Sequence, residues 1–232
     1  MKSSAVSFKA GPLQLEGILT MPGDQGGPFP GVVLCHSHPF LGGSQDQPLL
    51  HAVSGALARC GVASLAFNFR GVGHSEGVFS NGKEEGDDAA WAVRVLKHWP
   101  GILGSRVGLV GHSFGASVAL SSLPKLKDVK ALALLAPTVS SLVSPSLASD
   151  RRAKLFLVCS RDRITPPDEL ERKLELMKGP FEFRIIEGGD HTFRGCEDRL
   201  SELLADFFSR TLIGTSRLRK SWEFLARRSR RP

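Results

Sequence analysis

Short apolar runs alternate with amphipathic patterns along most of this chain. Residues 31–35 (GVVLC) and 62–69 (VASLAFNF) are almost continuously apolar, which is typical of strands buried on both faces of a parallel sheet. Between them, residues 46–60 predict a helix. A later helical pattern spaces five apolar residues at i, i+3, i+4, i+7 and i+8: Leu200, Leu203, Leu204, Phe207 and Phe208. The alternation of these two periods indicates repeated β-α units.

The complete pattern extends this alternation over almost the whole chain. Strands are predicted at 13–21, 31–35, 62–69, 106–110, 129–136, 153–159 and 181–187, and helices at 46–60, 84–98, 114–123, 167–178 and about 200–208. Such an order predicts an α/β fold with a mainly parallel central sheet and helices on both faces. Ligands bind such sheets at the carboxyl ends of the strands, so functional residues are expected there.

Composition and charge divide the chain into a domain and a tail. The 232 residues suit one domain, and 41% hydrophobic with 23% charged residues is ordinary for a globular protein. Of the formal net charge of +7, residues 214–232 carry +6, which leaves +1 for residues 1–213. We therefore predict one α/β domain at 1–213 and a basic tail at 214–232. A nearly neutral domain gives no electrostatic indication of nucleic-acid binding.

The basic tail leaves two interpretations open. Leu218, Trp222 and Leu225 would form an apolar helical face among arginines, as in helices that lie on a membrane surface. Alternatively, the tail is solvated or packs against the domain. The first interpretation adds membrane-surface contact as a candidate partner.

The chain carries the features of a cytoplasmic protein. Apolar runs are too short for a membrane span, and the first residues contain no continuous apolar segment of a secretory signal. Cys35, Cys60, Cys159 and Cys196 are widely separated and form no CxxC pair. We interpret them as reduced thiols, with neither a disulfide framework nor a zinc site.

The pattern GxSxG occurs twice, at 73–77 (GHSEG) and 111–115 (GHSFG). A nucleophilic serine needs a sharp turn between a strand and a helix, with small neighbours. Ser113 follows the strand pattern RVGLV and precedes the helix pattern FGASVALSSL, whereas Ser75 is followed by loop residues. We therefore predict Ser113 as the nucleophile and Ser75 as a loop serine. His112, adjacent to the serine on a tight turn, is assigned to packing.

A serine nucleophile requires a base within hydrogen-bond reach and a third group that orients the base. Asp162 follows the strand at 153–159, and His191 follows the strand at 181–187, in the order Ser, Asp, His. Asp190 competes for the orienting role, but it is adjacent to the histidine in sequence and would point elsewhere. Asp168 competes too, but it lies in the first turn of a predicted helix, where carboxylates are common. We predict His191 as the general base and Asp162 as its orienting acid.

Acyl transfer also needs two backbone N–H groups that hold the developing oxyanion. The residue after the nucleophile, Phe114, supplies one of them. The second is expected in the loop after the strand at 31–35, and Pro39 lacks an N–H, so we predict His38. His36 and His38 have no carboxylate or cysteine at ligand spacing, and no metal site is predicted.

Five segments of this chain resemble the α/β-hydrolase superfamily: CHSHPFLGG, FNFRGVGHSEG, GHSFG, SRDRITPP and GGDHTF. The resemblance extends from about residue 5 to residue 212 and is strongest to small hydrolases related to dienelactone hydrolases and serine esterases. Dienelactone hydrolases proper use cysteine where this chain has Ser113. Residues 137–152 are too few for the helical cap of many lipases. The resemblance therefore implies an exposed site without a cap and without a cofactor.

The predicted activity is hydrolysis of a small-molecule carboxylic ester or thioester through an acyl-enzyme on Ser113. An amidase, a peptidase or an acyltransferase would use the same three side chains. A scaffold or binding protein that kept the fold and lost the reaction is a further alternative, because a fold alone does not establish a function.

Overall fold

The computed structural model describes residues 1–23, 26–143, 145–177 and 179–214. Apart from Gly214, the predicted basic tail, with its apolar helical face, lies outside these ranges. The boundary at residue 213 and the membrane-surface interpretation therefore stay predictions.

One sheet of eight strands forms the centre of the described chain. The strands are β1 (Lys2–Ala10), β2 (Leu13–Met21), β3 (Phe29–Cys35), β4 (Ala63–Phe67), β5 (Ile102–His112), β6 (Val129–Leu135), β7 (Ala153–Cys159) and β8 (Phe181–Ile186). Their order is β1-β2-β4-β3-β5-β6-β7-β8. β2 pairs antiparallel with β1 and β4, and all other pairs are parallel. The carboxyl ends of β3 to β8 therefore meet at one edge, which we call the carboxyl edge.

Helices cover both faces of this sheet. They are α1 (Pro48–Arg59), α2 (Glu85–Lys97), α3 (Phe114–Ser121), α4 (Pro145–Ser149), α5 (Pro167–Leu174) and α6 (Glu197–Phe208). Apolar residues of α1 and α6 share one buried cluster, and those of α2, α3 and α5 belong to a second. Burial of each apolar helical stripe against the sheet stabilises this arrangement. The predicted α/β fold is confirmed.

β1 is not among the predicted strands. This strand pairs with β2 along its whole length, from Lys2 opposite Met21 to Ala10 opposite Leu13. Only Phe8 and Ala10 of the strand are fully buried, so its sequence lacks the apolar run that marks an inner strand. Main-chain pairing at the sheet edge, rather than side-chain burial, defines it.

The connection from β6 to β7 contains only a 3₁₀ turn (Val139–Leu142) and the short helix α4. The absence of a large cap is thus confirmed for the described residues. Within the same ranges, no helix has both the length and the apolar character needed to cross a membrane.

Hydrogen bonding continues past the strands at the carboxyl edge. The first residue after each of β5, β6 and β7 donates its N–H to the neighbouring strand, at 2.8 to 2.9 Å: Ser113 to Leu135, Ala136 to Leu157 and Ser160 to Ile186. The loops after these strands therefore start from fixed positions. We call these three bonds the edge ladder.

Candidate active site

Ser113 lies on a strained turn between β5 and α3, with φ 52° and ψ −107°. A positive φ is unusual for a residue other than glycine and is typical of functional turns. The flanking glycines are required by close approach: a Cβ at Gly111 would stand 2.5 Å from the Gly115 carbonyl oxygen, and one at Gly115 would stand 2.5 Å from that of Cys35. The turn thus fits between β3 and α3 only with glycine at both positions.

The structure brings Ser113, His191 and Asp162 into one continuous hydrogen-bonded chain. Ser113 Oγ lies 2.7 Å from His191 Nε2, and His191 Nδ1 lies 2.8 Å from Asp162 Oδ2. The Asp162 side chain is fully buried, and its Oδ1 accepts the backbone N–H groups of Ile164 and Thr165 at 2.8 Å each. An ionised carboxylate only accepts hydrogen bonds, so Nδ1 carries the imidazole proton. The lone pair of Nε2 then faces the Ser113 hydroxyl, in position to take its proton.

The two competing acids lie elsewhere. Asp190 is exposed and turns its carboxylate onto Thr192, accepting the backbone N–H at 2.8 Å and the hydroxyl at 2.6 Å. These bonds from Thr192 lower the pKa of Asp190. Asp168 lies in the first turn of α5. Of the three candidate acids, Asp162 is the one in contact with His191.

His112 has a polar contact that the sequence analysis did not anticipate. It is buried, and its Nε2 donates to the backbone carbonyl of His191 at 3.0 Å. Burial lowers the pKa of His112 to about 4, so the ring is neutral near pH 7. It therefore supports the His191 backbone as well as packing against Phe193. Sequence reasoning missed this contact because the two histidines are 79 positions apart.

His38 and Phe114, the predicted oxyanion donors, lie side by side at the carboxyl edge. Their rings are in edge-to-face contact, with centroids 5.3 Å apart. Neither backbone N–H donates to another group within the described part of the chain. Gln47 holds the loop of His38 in place through Ser37. Its Oε1 accepts the Ser37 N–H at 3.2 Å, and its Nε2 donates to Ser37 Oγ at 2.8 Å. Both N–H groups are thus available to a ligand oxygen.

His36 connects the His38 loop to the loop after β4. Its Nδ1 donates to the Ser37 carbonyl at 2.7 Å, and its Nε2 accepts the Phe69 N–H at 3.2 Å. Burial lowers the pKa of His36 to about 4 and keeps the ring neutral. Both ring nitrogens are thus used inside the protein. Among the described residues, no group of three or more His, Cys, Asp or Glu side chains is arranged to hold a metal ion.

The serine of the other GxSxG copy has a structural position. Ser75 is buried; its hydroxyl donates to the Asn68 carbonyl at 2.7 Å and accepts the Glu16 N–H at 3.1 Å. The Glu16 carboxylate in turn accepts the Asn68 side-chain amide and the His74 N–H, both at 2.7 Å. Ser75 therefore anchors the loop that contains the 73–77 motif to β2.

All four cysteines are free thiols. Burial raises the pKa of Cys159 to about 12, and Cys35 and Cys60 are also shifted upward by burial. These groups therefore remain protonated and are poor nucleophiles near pH 7.

Comparisons with known proteins agree with this architecture. An uncharacterized protein of Rickettsia prowazekii is 26% identical over 186 residues, which cover 77% of this chain and 78% of the relative. An α/β serine hydrolase homologue from Coxiella burnetii is 28% identical, with a TM-score of 0.76 over 89% of this chain and 97% of that one. A serine hydrolase without a lid from Xanthomonas campestris is 25% identical, with a TM-score of 0.78 over 92% and 97%.

A family model described as serine aminopeptidase, S33, matches residues 32–159. The match runs from β3 to the end of β7 and includes Ser113, but it stops before Asp162 and His191. It covers more than half of the chain, and the solved structures extend the similarity over most of the remainder. The chain therefore belongs to the serine aminopeptidase S33 family of α/β hydrolases.

Proposed function

We propose that this hydrolase cleaves carboxylic esters or thioesters through an acyl-enzyme on Ser113. The observation that carries the proposal is the unbroken chain of hydrogen bonds from the Ser113 hydroxyl through His191 to buried Asp162. The free N–H groups of His38 and Phe114 beside the serine add the second requirement of acyl transfer, a site for the oxyanion.

The proposed reaction has two similar halves. His191 Nε2 takes the Ser113 proton as Oγ attacks the substrate carbonyl, and Asp162 stabilises the imidazolium that forms. The carbonyl oxygen gains negative charge and accepts hydrogen bonds from His38 and Phe114. The imidazolium then protonates the leaving alcohol or thiol. Water, activated by the same histidine, releases the acid and restores the serine.

Cleavage of amides or peptides is the second candidate, because the family description names an aminopeptidase. The same side chains serve both reactions, so the choice depends on the leaving group that the site accepts. Comparing kcat/KM for a p-nitrophenyl ester with that for amino-acid p-nitroanilides separates the two. The proposal expects turnover of the ester and much slower turnover of the anilides; the opposite order would favour a peptidase.

A fluorophosphonate reagent tests the activated serine without knowledge of the substrate. We expect a covalent adduct on Ser113, located by mass spectrometry, in the native protein and none in Ser113→Ala or His191→Ala. Ser75→Ala is the matched control, because it removes the serine of the other GxSxG copy, and it should be labelled at the native rate. Absence of any adduct in folded native protein would contradict the proposal and favour a scaffold that kept the fold.

A further inference from the structure

Exposed apolar side chains concentrate around the proposed active site. Phe40, Leu41 and Val78 are 81%, 78% and 80% exposed, and they lie in the loops after β3 and β4. Val143 and Ile164, in the loops after β6 and β7, are also exposed. Large exposed apolar groups near one site commonly mark a binding surface on a globular protein. Their position at the carboxyl edge associates them with Ser113 rather than with another face.

Four rings at this edge form one continuous surface. His38, Phe40, Phe79 and Phe114 contact each other with ring centroids 5.1 to 5.6 Å apart, mostly edge to face. We call this group the aromatic shelf. Its inner ring belongs to the residue that follows Ser113, and its outer ring, Phe40, is largely in water. The shelf therefore begins beside the reacting carbonyl and opens to solvent.

The loop that carries Phe79 is held in place by a buried carboxylate. Glu85 accepts the Ser80 N–H at 2.6 Å, the Ser80 hydroxyl at 2.7 Å and the Gly82 N–H at 2.7 Å. Burial alone would raise the pKa of Glu85, but these hydrogen bonds outweigh it and lower the pKa, so the side chain stays ionised. The shelf is thus a preformed surface and does not require closure of a mobile segment.

Geometry assigns the shelf to one side of the substrate. The leaving group must lie within reach of His191 Nε2, because that nitrogen returns the proton. The carbonyl oxygen must lie between the N–H groups of His38 and Phe114, which are themselves shelf residues. The acyl substituent on the same carbon is then left to extend along the aromatic rings.

We infer that the aromatic shelf binds the acyl group of the substrate, and that the preferred substrates are esters of extended aliphatic or aromatic acids. This inference rests on the proposed function. Binding of an apolar acyl chain is favourable because apolar surface is removed from water. A chain that lies on a shelf stays partly hydrated, so it gains only part of the free energy of full burial. Because the outer end of the shelf is open to solvent, no protein group limits the length of the acyl chain there. Selectivity for long chains should therefore rise steadily without a cut-off.

The test is a series of p-nitrophenyl esters from acetate to octanoate. The native protein should gain roughly two-fold in kcat/KM for each added methylene, about half of what full burial would give, with no decline up to octanoate. In Phe40→Ala and Phe79→Ala the ratio of octanoate to acetate should fall at least five-fold. Leu176→Ala removes another exposed apolar side chain, beyond the far end of α5, and should keep the native ratio.

Three results would overturn the inference alone. The first is an equal gain per methylene in the native protein and both shelf variants, and the second is a maximum of kcat/KM at acetate in the native protein. The third is a rise in kcat/KM with the length of the alcohol, measured with acetyl esters of longer and longer alcohols, and no rise with the length of the acid. In each case Ser113 would still be labelled by the fluorophosphonate. Loss of that labelling, with no ester hydrolysed in folded native protein, would overturn the proposed function itself.

Discussion

Replacement of Asp162 by asparagine tests whether this carboxylate keeps the proton of His191 on Nδ1. Asp162 Oδ1 accepts two backbone N–H groups, from Ile164 and Thr165, while Oδ2 accepts His191 Nδ1. In Asp162→Asn the amide oxygen must stay on the two backbone donors, so the amide NH₂ is turned toward His191. The histidine can accept that hydrogen only with Nδ1 deprotonated. Its proton therefore moves to Nε2, which faces the serine hydroxyl and loses its capacity as a base.

The expected loss in kcat is on the order of 10³–10⁴-fold, as expected for a serine hydrolase whose histidine is held in the wrong tautomer. The fold should survive, because the side chain keeps its volume and the bonds to Ile164 and Thr165. The free energy of unfolding should fall by no more than about 1–2 kcal/mol, the difference between a charged and a neutral acceptor. Turnover of p-nitrophenyl butyrate and urea unfolding measure the two quantities on the same preparation.

Asp190→Asn is the matched control, since it makes the same chemical change next to His191 but on a carboxylate that accepts hydrogen bonds from Thr192 and not from the histidine ring. Its kcat should remain within about three-fold of the native value. If Asp162→Asn retained more than a tenth of native kcat, or if Asp190→Asn lost more than Asp162→Asn, the assignment of the orienting acid would be wrong.

Three further predictions concern stability. Gly115→Ala would place a methyl group 2.5 Å from the Cys35 carbonyl oxygen and should cost about 1–3 kcal/mol in thermal unfolding. Gly55→Ala, in the interior of α1, would bring its new Cβ into ordinary contact with the end of the Arg59 side chain at 3.4 Å and should instead add about 0.5–1 kcal/mol. Ser75→Ala should lower the free energy of unfolding in urea by about 1–3 kcal/mol, with native kcat, because the buried Asn68 carbonyl and the partly buried Glu16 N–H lose their hydrogen bonds to the Ser75 hydroxyl. His36 has a folded-state pKa of about 4 against 6.5 when unfolded, so the unfolded chain binds more protons between these values. The contribution of His36 to stability should therefore be complete above pH 6.5 and fall by roughly 3 kcal/mol as the pH drops to 4. Buried His112 has the same pKa shift and adds a similar loss, so His36→Gln should remove about half of the pH dependence in urea unfolding; an unchanged slope would contradict the assignment.

The inner strands could be predicted because burial on both faces demands continuous apolar residues, as in β7 and β3. β1 could not, because only Phe8 and Ala10 of its nine residues are fully buried. β5 begins at Ile102, earlier than the predicted 106, since its first five residues are half-buried or exposed and pair irregularly with β3. Periodicity thus identifies elements that are defined by side-chain burial and misses those defined by main-chain pairing at an edge.

The same distinction applies to the candidate site, where some residues are placed by predicted strands and others by contacts between loops. Ser113, Asp162 and His191 could be nominated because each directly follows a predicted strand, and parallel strands end at one edge. The aromatic shelf could not, because Phe40 and Phe79 lie in two separate loops, Phe114 begins α3, and the three share no local motif. Their proximity depends on contacts such as those of Glu85, which appear only when the loops are folded together.

The edge ladder has a consequence for how the site moves and how it can be changed. Ser113, Ala136 and Ser160 are bonded into the sheet, so their amide hydrogens exchange with solvent only when the sheet itself opens. The loops that carry Phe40 and Phe79 take no part in these three bonds. The alignment of the reacting groups therefore depends on bonds within the sheet, whereas the acyl preference depends on loops outside it. Exchanging the loop that carries Phe79 between related chains would therefore change acyl selectivity while Ser113, His191 and Asp162 keep their positions.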